Sequence, residues 1–381
     1  MKTPASIFVL HSGGLGDLVR TAPLLRAAHR EWPNALITLS CRAEFDAIRE
    51  LLPVRTAPAP IPFDPSDFME PDIAALTAVH GIFGSWKAVE ADLFICAEAR
   101  PSWLAGVLAA WFRAGRTAAA EAPEESAMLD RMRSELVLEP AEFEPVPFAI
   151  PPLIPWPLPA TARTAADREL EALGLTERGY LLCAPMGGWP RSRFGQALDQ
   201  ARATRPSPVL FIGAPLDLAP EGGPVRSWEG GIGDLPLLAG LLAMSRGYFT
   251  DSPGIADLGQ AFGSAGLCVS GGGCWPEDAP WAANASALVH PLPCFGCGWD
   301  CAFGDPVCMA SIPARVAGES LAALEPGVRK LDLLPGSELQ LIEKAGATYR
   351  RARNDAAALR DSAIRARHAG RATPRRGWFG R

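Results

Sequence analysis

The chain has 381 residues, 48% of them hydrophobic and 20% charged, with a formal charge of −6. That balance is globular, and the 37 glycines and 37 prolines follow no repeat, which excludes collagen-like and low-complexity classes. No apolar run approaches the roughly 20 residues that span a bilayer, and Met1-Lys2-Thr3-Pro4 lacks the charged and apolar regions of a secretion signal, so a soluble cytoplasmic protein is expected.

The length favours two domains of ordinary size. The first half alternates strand-like runs at 7–10, 35–40, 79–83 and 92–97 with helical patterns at 18–29, 43–52 and 103–113. Such alternation predicts βαβ units on a mostly parallel sheet. The first strand runs into His11-Ser12-Gly13-Gly14-Leu15-Gly16-Asp17. Glycines there permit close approach of another molecule, and an acid at a helix start sits where a cleft is expected. The spacing is neither a dinucleotide fingerprint nor a Walker loop. The plainer reading of Asp17 is a carboxylate favouring the helix dipole.

Residues 145–163 carry seven prolines, which suit neither a helix nor a central strand and mark the interdomain connection. The alternation resumes with helices at 164–173, 194–204, 235–245 and 255–262 and strands at 180–184, 209–212, 247–250 and 266–270. The expected division is an N-terminal domain at 1–150, a linker at 151–175, a C-terminal domain at 176–325, and a helical tail at 326–381. Residues 350–381 hold ten Arg against Asp355 and Asp361, a local charge of about +8.

Nine cysteines argue against a disulfide framework. Cys294, Cys297, Cys301 and Cys308 cluster within fifteen residues. Four thiolates so spaced suit a tetrahedral zinc or iron site; a reduced cluster is the other reading. Cys41, Cys96, Cys183 and Cys268 read as core residues and Cys274 as a loop thiol.

Gly16, Asp17, Thr21, Pro23, Leu24 and Pro33 fall on a Ser-x-Leu-Gly-Asp, T-x-P-x-L pattern. Trp189-Pro190 with Phe194, Gly213-Ala214-Pro215-Leu216-Asp217, Asp251-Ser252-Pro253-Gly254 and the cysteine segment follow in order. Together, over about residues 5–325, these motifs resemble glycosyltransferase family 9, the ADP-heptose:lipopolysaccharide heptosyltransferases, as a divergent member.

The resemblance implies an α/β GT-B architecture: two Rossmann-like domains facing a central cleft, followed here by C-terminal helices. It implies inverting transfer of heptose or a related sugar from an ADP-sugar to a lipopolysaccharide core or another surface glycan, with no metal or other cofactor for catalysis. Asp17 is the implied general base. Gly14, Gly16, Arg191, Asp217, Asp251, Ser252, Gly254 and Asp257 are the implied substrate-binding set, Asp217 toward the ribose and Asp251 to Gly254 toward phosphate or sugar. The basic tail would contact the inner membrane surface peripherally, and no nucleic-acid partner is implied. Some similar heptosyltransferases carry a four-cysteine iron site.

Two departures stand out. The loop at 186–189 lacks the family's lysine, which Arg191 or Arg193 would replace, and Asp257 fills the histidine position, where an acid repels a diphosphate. They motivate an alternative: a catalytically degenerate nucleotide- or glycan-binding member acting as an assembly subunit. Trp275, Trp281 and Trp299 are candidates for stacking or for packing, and Glu98 and Arg100 for the acceptor side.

Overall fold

The computed structural model describes residues 3–62, 81, 91–98, 108, 117–119, 144–273, 278–292, 301, 306–324 and 327–330. The strand expected at 79–83, the helix at 103–113 and the tail beyond 330 lie outside these residues, apart from Gly81 and Leu108.

The first sheet contains β1 (Ser6–Leu10), β2 (Leu36–Ser40), β3 (Ala57–Pro58), β4 (Leu93–Cys96), β5 (Thr117–Ala119) and β6 (Glu144–Pro145), in the order β3-β2-β1-β4-β5-β6. β1 pairs in parallel with both β2 and β4. Buried on both faces, such strands are continuously apolar, as Ile7, Phe8, Val9 and Leu10 are.

The second sheet repeats that plan. It contains β7 (Leu181–Ala184), β8 (Val209–Ile212), β9 (Val225–Trp228), β10 (Gly247–Thr250), β11 (Gly266–Ser270), β12 (Ala285–Val289) and β13 (Gly327–Lys330), in the order β13-β12-β11-β10-β7-β8-β9. In each sheet the first strand is the switch point, with its second strand on one side and its fourth on the other. Ligand crevices in such folds open at the carboxyl ends of those strands.

Helices accompany the strands: α1 (Leu15–Arg20), α2 (Ala22–Glu31), α3 (Ala160–Leu173), α4 (Arg191–Thr204), α5 (Leu235–Met244), α6 (Pro253–Ala261), α7 (Val307–Ala310) and α8 (Ala314–Ala323). The single helix expected at 18–29 is two, broken at Thr21, whose hydroxyl donates to Leu18 O at 2.6 Å. Pro23 has no N–H and its ring crowds the carbonyl four residues back, so α2 restarts with proline in its first turn. Residues 43–52 form a 3-10 helix, Ala43–Glu50, and not an α-helix.

In contact terms the described chain forms two compact units, the second comprising 270–273, 278–279, 288–292, 301, 306–312 and 329–330. Both switch points lie in the first unit. So does Trp156 of the proline-rich connection, which is buried, donates its backbone N–H to Ala261 O at 2.9 Å and its indole N–H to Leu51 O at 2.7 Å. In the second unit His290 Nδ1 meets Ser311 Oγ.

Candidate functional site

At the carboxyl end of β1 three consecutive amides are each taken by a different side chain. Ser12 N–H donates to Glu98 Oε1 at 3.0 Å, Gly13 N–H to His11 Nδ1 at 2.9 Å, and Gly14 N–H to Asp17 Oδ2 at 3.1 Å. The Ser12 hydroxyl also donates to Glu98 Oε1. His11, Ser12 and Glu98 are buried, whereas Asp17 is exposed. Burial lowers the His11 pKa against the opposite pull of Glu98 and Asp17. A Cβ on Gly13 would lie 2.6 Å from His11 Cε1 and 2.8 Å from Asp17 Oδ2, so any larger residue there displaces one of these side chains.

The second switch point has the same device. Asp251, just past β10, is buried and accepts from Met186 N–H at 2.6 Å and Trp189 N–H at 2.7 Å, in the loop after β7. In each fold a carboxylate from the strand beside the first one takes up amides of the first strand's loop, Glu98 in one and Asp251 in the other. Trp189 is held there by burial against Phe194 and Phe249. Ser252 caps α6, its hydroxyl accepting from Ile255 N–H at 3.4 Å, and Pro253 opens the helix.

Helices α1 and α6 meet directly. A Cβ on Gly16 would stand 3.2 Å from Gly254 Cα and 2.6 Å from Asp257 Oδ2. Asp257, 4% exposed, accepts from Arg20 Nε at 2.8 Å and Nη2 at 3.0 Å. Trp281 Nε1 donates to it at 2.8 Å and Gln260 Nε2 at 3.3 Å. Burial raises the Asp257 pKa to about 6 despite Arg20 and Trp281, and the Asp17 charge pushes the same way.

The structure therefore brings Gly14, Gly16, Asp17, Gly254 and Asp257 together at one seam. Arg191 and Asp217 are exposed elsewhere in the second fold, at the start of α4 and in the loop after β8; Arg191 Nη2 donates to Ala214 O at 2.8 Å. Sequence reading missed Arg20, because nothing in a sequence links it to Asp257. It also missed that His11 is a loop acceptor, a role that local sequence patterns give to Asn, Asp, Ser and Thr.

Of the cysteine cluster, Cys294 and Cys297 lie outside the described residues; Cys301 is half-buried, and Cys308 is buried with its sulfur accepting from Gly272 N–H at 3.5 Å. Among the described residues no group of three or more His, Cys, Asp or Glu is placed to hold a metal ion. Cys41, Cys96, Cys183 and Cys268 are core residues, with burial raising the Cys41 thiol to about 12. Trp281 serves Asp257 through its N–H; Trp275, Trp299, Cys274 and Arg100 lie outside the described residues.

These two nucleotide-binding-type folds define the GT-B class. No protein-family model and no curated protein matches the chain in sequence. Among solved structures, it is similar to a glycosyltransferase family 9 protein of Veillonella parvula, at 16% identity and a TM-score of 0.57 over 84% of this chain and 97% of that one. It is also similar to ADP-heptose lipopolysaccharide heptosyltransferase II of E. coli, at 13% identity and a TM-score of 0.56 over 84% and 98%. A third is an E. coli heptosyltransferase with ADP-2-deoxy-2-fluoro heptose, at 14% identity and a TM-score of 0.50 over 75% and 93%.

Proposed function

We propose that the chain is an inverting glycosyltransferase that moves heptose or a related sugar from an ADP-sugar to a lipopolysaccharide core or another surface glycan, with Asp17 as general base. The observation that carries this reading is the placement of Asp17: an exposed carboxylate on α1, oriented by Gly14 N–H, beside the contact of α1 with the start of α6. Inversion requires one group to take the proton of the acceptor hydroxyl as its oxygen attacks the anomeric carbon and the diphosphate leaves. A solvent-reachable aspartate fits that role. Arg20 also removes the objection that Asp257 repels the donor, because it meets that acid with a bidentate charge.

Asp217, Arg191 and Gly254 remain the proposed donor contacts, within proposed domains of 1–150 and 176–325. The four-cysteine loop is proposed as a structural zinc or iron site; an amide donating to Cys308 sulfur is the outer contact a metal thiolate takes. The basic tail is proposed to hold the protein peripherally at the inner face of the membrane; among the described residues no helix is long and apolar enough to cross one.

One observation favours the degenerate alternative. Asp251 takes up the Met186 and Trp189 amides in the loop before α4, so neither is open to a phosphate. The deciding experiment measures ADP released from ADP-heptose with and without glycan acceptors. Acceptor-dependent release that falls about 100-fold or more in Asp17→Asn supports transfer with Asp17 as base; no release from ADP-heptose with any acceptor supports the alternative.

A further inference from the structure

We infer that His11 is a positioning residue for Asp17, acting through the backbone of Gly13 and Gly14. The inference rests on the reading of Asp17 as base and adds the residue that sets its direction.

The argument starts from the amides. His11 Nδ1 accepts the N–H of the residue two positions on, which is the hydrogen bond an Asn or Asp makes in an Asx turn. With Gly13 N–H fixed on the ring, the next amide, Gly14 N–H, is set to meet Asp17 Oδ2, which lies on the same side of Gly13 as the ring. Ser12 N–H, on the other side, is fixed by Glu98. In this arrangement the loop satisfies all three amides with side chains. Asp17 is the exposed side chain of the three acceptors; the other two are buried.

The arrangement needs an unprotonated Nδ1, so the neutral ring carries its proton on Nε2. It also needs Gly13, whose missing Cβ admits His11 and Asp17 to the same face of the turn. The functional sense is economy of motion: a base held by a preset amide does not have to be ordered in the transition state.

The test uses the full chain labelled with ¹⁵N-glycine and follows amide hydrogen exchange at Gly13 and Gly14. Asp17→Ala is expected to speed exchange at Gly14 alone. His11→Ala is expected to speed both, and His11→Asn, which restores the acceptor through an Asx turn, to slow both again. Gly13→Ala, a second route to the same displacement should His11→Ala not fold, is expected to expose Gly14 as well. In the ADP-release assay His11→Ala is expected to lose about ten- to 100-fold in kcat with KM for ADP-heptose within about twofold, and His11→Asn to recover most of it.

Unchanged exchange at Gly14 in His11→Ala overturns the inference, as does a loss that appears in KM alone. A parent protein with no ADP release overturns the transferase reading instead, and the exchange pattern still decides whether His11 sets Asp17.

Discussion

Arg20 and Asp257 stand 237 positions apart in sequence and are joined by two charge-assisted hydrogen bonds, 2.8 and 3.0 Å long. They tie α1 of the first fold to α6 of the second. Asp257 is almost wholly buried, while Arg20 keeps 28% of its side chain exposed. Removing the cation leaves a buried carboxylate with only neutral donors, so Arg20→Met is expected to cost about 2–4 kcal/mol, below the usual range for a fully buried pair because Arg20 is partly solvated. Asp257→Asn, which keeps an acceptor for Trp281, is expected to cost less. Urea denaturation of both variants and the double variant checks this; additive losses would mean that the pair is not coupled.

The same pair gives a pH dependence of determinate sign. The Asp257 pKa rises from an ordinary 3.8 to about 6 in the fold. Between those values the folded chain holds a proton that the unfolded chain has released, so this group's contribution to stability is full below about pH 4 and is lost as pH rises through about 6. His11 acts oppositely: its pKa is lowered by burial, so its contribution is present above the ordinary 6.5 and lost as pH falls through its folded value. Each is to be read as a difference between the parent and a single variant. Parent stability relative to Asp257→Asn is expected to decline between about pH 4 and 6, and relative to His11→Asn to decline on acidification below about 6.5. A flat difference in either pair of titrations contradicts its assignment.

Gly16 makes a test in which two effects oppose each other. Glycine to alanine inside a helix ordinarily gains about 0.5–1 kcal/mol. Here the added methyl would meet Asp257 Oδ2 at 2.6 Å and the Gly254 backbone at 3.2 Å. Overpacking of that kind costs about 1–3 kcal/mol, so Gly16→Ala is expected to destabilise on balance. Its midpoint in thermal unfolding should fall. A rise would mean that α1 and α6 are not in contact in solution.

How much was readable in advance follows a physical rule. Strands such as 7–10 and 209–212 were legible because both faces are buried and the apolar run is unbroken. The helix expected at 255–262 was legible, although it starts at Pro253, two residues earlier, with Ser252 as its cap. β5, β6 and β9 were not: Thr117–Ala119 and Glu144–Pro145 are too short to show a pattern, and Val225–Trp228 carries Arg226 on the outer strand of its sheet. At the site, the glycine turn and Asp17 could be read from neighbouring residues. The partners that define the chemistry could not, since Glu98 reaches Ser12 across 86 positions and Trp189 reaches Asp251 across 62.

Asp251 supplies a prediction that bears on the choice between transfer and mere binding. Its carboxylate satisfies two amides in a buried setting, so Asp251→Ala is expected to cost about 2–4 kcal/mol, the loss of two charge-assisted bonds and the stranding of two donors. The stranded amides would then accept an external anion. Inorganic phosphate is therefore expected to raise the unfolding temperature of Asp251→Ala more than that of the parent, since a ligand held only by the folded state stabilises it in proportion to its occupancy. If the parent responds to ADP as strongly as the variant does, the donor binds without displacing Asp251, and the carboxylate is a brace beside the nucleotide site. If only the variant responds, Asp251 blocks the phosphate position in the native chain, and the assembly-subunit reading gains over transfer.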